Sequence, residues 1–192
     1  MFLQTNMADS QLLVLGLEGV GKTLFLKRLQ TFSAHMNQPQ FSQKSQELTE
    51  APATIPTVGV NLVSVSFGKR KYNFRELGGA MAPIWSNYYK DASYIVYIFD
   101  VANRFQVSAS CIQLLEVLSS KQTQSKPILL LFNKTDFTHR LKIVEICSII
   151  RLDDIIASAK QDITVMNTSF RNGAGIDGVI SWLQEKCSPQ LK

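Results

Sequence analysis

The sequence predicts an α/β fold, a mostly parallel six-stranded sheet covered by helices on both faces, and three observations carry that reading. Short apolar runs of strand length, such as 11–16 and 127–132, alternate with longer stretches of helical pattern. Those runs are apolar nearly throughout, the pattern of strands buried on both faces. Polar and glycine-rich signatures stand at the carboxyl ends of the runs, where sheets of this kind place their ligands.

In chain order, 11–16 reads as a buried first strand and 22 to about 33 as the helix after it. Leu24, Leu26, Lys27 and Leu29 mix the helical faces, so the end of that helix is open. Residues 36–54 are polar, with Gln38, Gln40, Gln43 and Gln46, and are expected to form a long mobile loop. Val60, Leu62, Val63, Val65 and Phe67 mark a strand, and 71–77 a second one; the turn 68–70 makes them a hairpin. Lys69, Arg70 and Lys71 read as a solvated turn, with contact to a membrane or partner as the alternative. A β-rich run at 93–99 ends at Asp100, and a helix follows over about 107–119. The strand 127–132 ends at Asn133, and 141–160 is helical with a break expected near Asp153 and Asp154. A last strand at 163–166 and a helix at 176–186 close the pattern.

A chain of 192 residues fits one domain, expected to span 1–192 with its core over about 11–187. It is 45% hydrophobic and 18% charged, with a formal charge of +5. A nucleic-acid binder would carry a denser basic stripe, so no nucleic acid is expected. Attraction to an acidic membrane face is at most peripheral. Cys111, Cys147 and Cys187 are far apart and odd in number, suggesting neither a disulfide framework nor a metal site, which fits a reducing cytoplasmic compartment. No signal peptide or bilayer-spanning run is expected. Phe2 breaks the simple myristoylation pattern, and Cys187 stands too far from the carboxyl end for prenylation. His35 and His139 read as loop residues, and Asp153-Asp154 as a helix cap or solvated pair.

The strongest local signal is Gly16-Leu17-Glu18-Gly19-Val20-Gly21-Lys22-Thr23, which follows a predicted strand and opens a predicted helix. Glycines there let successive main-chain N–H groups over Gly16, Glu18, Gly19, Val20 and Gly21 converge on phosphate oxygens, and the helix start adds positive potential. Lys22 is expected to reach the β- and γ-phosphates, and Thr23 to place a hydroxyl on Mg²⁺. The Glu18 side chain is expected to point away from the phosphates.

The base is chosen by Asn133-Lys134-Thr135-Asp136, directly after a predicted strand. A carboxylate at Asp136 can accept from guanine N1–H and the exocyclic amine, a pair that adenine does not offer in that arrangement. Asn133 can brace the phosphate loop and approach the purine edge, and the stem of Lys134 can lie along the ring. In Thr168-Ser169-Phe170, Ser169 can steady Asp136 and a main-chain N–H near Phe170 can donate to the guanine carbonyl; local polarity is the alternative account of that triplet.

With these residues in this order, the chain resembles the small GTPases, most closely the ADP-ribosylation-factor-like branch, over about 11–187 apart from 36–54. Gly16-Leu17-Glu18 is similar to that branch's opening, Pro56-Thr57-Val58-Gly59 to its first switch, and Glu76-Leu77-Gly78-Gly79 to its second. Pro83-Ile84-Trp85-Ser86-Asn87-Tyr88-Tyr89 is similar to the segment that follows. The resemblance implies the P-loop fold of small G-proteins and a monomeric switch that holds GTP or GDP with Mg²⁺. It implies Thr57 on Mg²⁺, the Gly78 N–H on the γ-phosphate, and Glu76 on Mg²⁺ through water. It also implies that Pro56, Gly59, Gly79 and Ala80 move with nucleotide state, that effector proteins bind the GTP form, and that an exchange factor and a GTPase-activating protein govern the cycle. Trp85, Tyr88 and Tyr89 are expected either on the effector surface or in buried packing.

Two departures bear on mechanism. Glu76 stands where the family usually has aspartate, and Ala80 where it has the glutamine that orients attacking water; Met81 cannot substitute. Slow or partner-dependent hydrolysis is therefore expected. The alternative is an interaction scaffold that retains the pocket without hydrolysis. Arg75 can supply a compensating charge or face outward.

Overall fold

The computed structural model describes residues 10–36, 52–137 and 143–187. The strands are β1 (Ser10–Leu15), β2 (Val60–Phe67), β3 (Arg70–Leu77), β4 (Tyr94–Asp100), β5 (Ile128–Asn133) and β6 (Ile163–Asn167). The helices are α1 (Lys22–Met36), α2 (Arg104–Ser119), α3 (Ile143–Ile149), α4 (Leu152–Ser158) and α5 (Ile176–Lys186), with a 3-10 segment at Gly79–Tyr88. One sheet runs in the order β2-β3-β1-β4-β5-β6. The β2–β3 hairpin is antiparallel, and every other neighbouring pair is parallel.

Side-chain alternation along the central strands builds two cores. Leu12, Val14, Val96, Ile98, Leu129 and Leu131 face α1 and α5. Leu13, Leu15, Ile95, Tyr97, Leu130 and Phe132 point the other way, toward α2, α3 and the 3-10 segment. Because both faces are covered, these runs need apolar residues at every position, which is why they read as unbroken stretches. β2 is an edge strand and differs accordingly. Val65 and Phe67 are buried, while Val60 and Leu62 stand out in solvent.

Several boundaries differ from those the sequence predicts. α1 continues to Met36 because Phe25, Leu29 and Phe32 keep returning to the buried face. α2 starts at Arg104, three residues early. The helical stretch after β5 breaks at Arg151, which takes a left-handed conformation (φ 53°) two residues before the aspartate pair. Asp153 and Asp154 open α4, where carboxylates favour the positive helix end, and Asp154 accepts a 2.6 Å bond from Arg151. Of the loop expected at 36–54, residues 37–51 lie outside the described residues, as does His139.

Candidate functional site

The site is built at the carboxyl ends of β1, β3, β4, β5 and β6. β1 ends at Leu15, and the chain crosses to α1 through a turn in which Gly16 (φ 143°), Gly19 (φ 74°) and Gly21 (φ 102°) occupy the region that disfavours side chains. At two of these positions space decides as well. A Cβ on Gly16 would stand 2.6 Å from the Ile98 carbonyl oxygen, and one on Gly21 would stand 2.7 Å from Asn133 Nδ2. Lys22 is buried and folds back over the turn, donating from Nζ to the carbonyls of Gly16 and Leu17, both at 2.8 Å.

Burial pushes the Lys22 pKa down from 10.5 to about 8, against the pull of the Glu76 and Glu18 carboxylates. Between those values the unfolded chain holds the proton more often than the folded one, so this lysine adds stability as pH rises from about 8 toward 10.5. Tyr89 and Cys187, each pushed up to about 12 by burial, act in the opposite direction at alkaline pH. The difference between two proteins isolates the lysine. Thermal unfolding of nucleotide-free Lys22→Met and wild type is expected to show the wild type gaining relative stability across that window; a constant difference would contradict it.

A second cluster gathers hard oxygens. Glu76 on β3 is wholly buried; its Oε1 accepts from Thr23 Oγ1 (2.5 Å) and Thr57 Oγ1 (3.0 Å), and its Oε2 from Asn61 Nδ2 (3.0 Å). The two threonine hydroxyls are 2.9 Å apart. Asn61 arrives there because the hairpin register sets it opposite Glu76. Hydroxyls beside one carboxylate suit a small hard cation that takes its remaining ligands from phosphate and water. Among the described residues no group of three or more His, Cys, Asp or Glu side chains offers a full protein cage.

Three stretches of main chain pack against this cluster. The Gly78 N–H donates to the Gly59 carbonyl at 2.9 Å. A Cβ on Gly78 would stand 2.4 Å from Thr57 O, and one on Gly79 would stand 2.2 Å from Glu18 N, so the glycine pair is required by contact rather than by dihedral angle. Trp85 is buried under Gly78 and donates from Nε1 to its carbonyl at 3.2 Å. Tyr89 is buried too, while Tyr88 is half-buried beneath the Arg75 guanidinium, 5.7 Å from its ring centroid. Trp85 and Tyr89 are thus core side chains in this conformation. Pro56, Ala80 and the Glu18 side chain are exposed. Arg75 turns away from the pocket and pairs with Asp91 at 3.4 Å.

The other end of the site is organised by Asn133, the last residue of β5. Its Nδ2 donates to the Val20 carbonyl (2.8 Å), and its Oδ1 accepts from the Phe170 N–H (3.1 Å). The Phe170 N–H is therefore engaged within the protein. Ser169 Oγ donates to Asp136 Oδ1 at 2.7 Å, and the Thr168 N–H donates to the Phe132 carbonyl at 2.8 Å. Lys134, left-handed at φ 69°, reaches Asp100 Oδ2 at 2.6 Å.

Four residues in the site carry no motif that the sequence reveals. Asn61 and Asp100 hold Glu76 and Lys134, as above. Gln106 on α2 donates from Nε2 to the Glu18 carbonyl at 2.9 Å, tying that helix to the glycine turn. Arg28 lies on the buried face of α1, where the one available sign is a cation placed among apolar positions.

Comparison with known proteins follows the same lines. The ADP-ribosylation factor family model matches residues 1–187. Human ADP-ribosylation factor-like protein 16 is 46% identical over 172 residues, covering 90% of this chain and 83% of that protein. ADP-ribosylation factor-like protein 1 of Caenorhabditis elegans is 31% identical over 177 residues, covering 91% and 87%. Among solved structures, the Arl6 small GTPase of Trypanosoma brucei with a bound nucleotide analogue matches with a TM-score of 0.74, over 93% of this chain and 96% of that one. At 18% identity this last is a likeness of fold.

Proposed function

We propose that this chain, which belongs to the ADP-ribosylation factor family, holds GTP or GDP with Mg²⁺ through the residues assembled at the strand ends. It is a small GTPase that works as a nucleotide-binding switch. In our assignment the main chain of Gly16, Glu18, Gly19, Val20 and Gly21 cradles the phosphates, and Lys22 turns from its loop carbonyls toward the β- and γ-phosphates. Thr23 and Thr57 ligate Mg²⁺, with Glu76 acting through water; the metal, when bound, offsets phosphate charge. The Gly78 N–H exchanges the Gly59 carbonyl for the γ-phosphate in the GTP form, and loss of that phosphate frees both switch segments. Asn133, Lys134, Asp136, Ser169 and the main chain near Phe170 hold guanine.

The observation that carries this reading is the double grip of Asn133, which joins the glycine turn at Val20 to the 168–170 loop and so makes one site of two distant motifs. Titration with GTP, GDP and ATP in magnesium buffer tests it. Guanine nucleotides are expected to bind far more tightly, and equal affinity for ATP would sink the assignment. The scaffold alternative gains no support from the described residues, since Lys22, Thr23, Thr57, Asn133 and Asp136 all stand at the site.

Hydrolysis unaided is slow in this reading, because exposed Ala80 offers no side-chain amide to orient water. Ala80→Gln is expected to raise the single-turnover rate by roughly tenfold or more. An unchanged rate with unchanged GTP affinity would show that water positioning is supplied elsewhere.

Effector proteins, an exchange factor and a GTPase-activating protein complete the proposed cycle of a single-domain, monomeric, cytoplasmic switch. Ile55, Val58 and Leu62 stand 84%, 97% and 67% exposed around Pro56 and Gly59, an apolar face suited to a protein partner. Membrane contact in this proposal is at most peripheral; no described helix is long and apolar enough to cross a membrane.

A further inference from the structure

We propose that Arg28 on α1 is a positioning residue for the base-reading loop and sets how fast and how selectively guanine nucleotide is released. The inference rests on the assignment of guanine to the Asp136 end of the site.

Arg28 is 1% exposed, among the largest fully buried side chains of the protein. A guanidinium taken out of water is tolerated only where its donors are used. Here Nε donates to the Phe170 carbonyl at 2.8 Å and Nη2 to the Arg171 carbonyl at 2.6 Å. A planar fork spans two successive carbonyls in a way that an ammonium cannot. With those carbonyls drawn beneath the loop, two of its polar groups are turned to the site: Ser169 Oγ to Asp136 and the Phe170 N–H to Asn133. The Phe170 ring is set on Phe25 of the same helix, with centroids 5.1 Å apart. Above, the Arg171 guanidinium lies 5.6 Å from the Phe137 ring centroid, a further tie between the two base-side loops.

The same helix begins at Lys22, about 9 Å along the axis from Arg28 at 1.5 Å per residue. One rigid element therefore presents the phosphate-side lysine at its start and clamps the base-side loop from its second turn. Loss of the clamp leaves two loop carbonyls seeking water and releases the donors that hold Asp136 and Asn133 in place.

The test uses full-length Arg28→Met and Arg28→Lys loaded with fluorescent GDP. Release rates are read alongside the affinity ratio of GDP to inosine diphosphate, which lacks the exocyclic amine. Arg28→Met is expected to release GDP about tenfold faster and to lower the ratio by a similar factor, with Arg28→Lys between it and wild type. Should Arg28→Met fail to fold, Arg28→Lys carries the same comparison. Wild-type release and ratio in a folded variant would overturn the proposal, as would reduced thermal stability with an unchanged ratio. Asp136→Ala separates the two levels. If it leaves the ratio intact, the guanine assignment falls and this inference with it; if it collapses the ratio while the Arg28 variants do not, only the role of Arg28 is lost.

Discussion

Lys22→Ala is expected to weaken binding of both GTP and GDP by about a thousandfold, near 4 kcal/mol. The ammonium is held over the glycine turn by two carbonyls at 2.8 Å, and its burial means that little water competes for it. A charge-assisted contact to phosphate in that setting is worth more than the same contact at a surface. Calorimetric titration of the nucleotide-free protein, with circular dichroism to confirm an intact fold, checks the expectation. Affinity within threefold of wild type would remove the lysine from the phosphate site.

The second large effect concerns the base. Asp136→Ala is expected to erase most of the preference for guanine over adenine, bringing a discrimination of about 10⁴ or more to within roughly tenfold. A carboxylate accepting two donors from one purine edge discriminates strongly, because the wrong base leaves it unpaired. Ser169, whose hydroxyl aims Asp136 at 2.7 Å, has no role in selectivity once the acid is gone. Ser169→Ala added to Asp136→Ala should therefore change the ratio little further. Competition between GDP and ADP for a fluorescent guanine nucleotide reads both variants, and a retained preference in Asp136→Ala would place base recognition on other groups.

Much of the fold and of the site is legible in the order of residues along the chain. The parallel sheet can be read because β1, β4 and β5 are covered on both faces, so burial demands apolar residues in unbroken runs. The turn at Gly16, Gly19 and Gly21 is legible because positive φ angles are satisfied locally, by residue type. Helix ends are less so. The break between α3 and α4 falls at Arg151, a residue whose type does not call for a left-handed conformation, and an aspartate pair in sequence looks the same inside a turn or at a helix start.

Alone, the sequence determined what short stretches of chain can do: which runs are strands, where the main chain can curl around an anion, and which acid can read a purine. Local covalent geometry and side-chain chemistry act within a few residues, so a few residues reveal them. The tertiary structure decided which groups meet. Thr23 finds Glu76 across 53 residues, and Arg28 finds Phe170 across 142. The first meeting is set by the parallel register of β1 with β3, the second by the packing of α1 against the loop after β6. Composition and spacing show neither contact, although the family resemblance already places Thr23 and Glu76 on one metal ion; register and packing are properties of the assembled sheet.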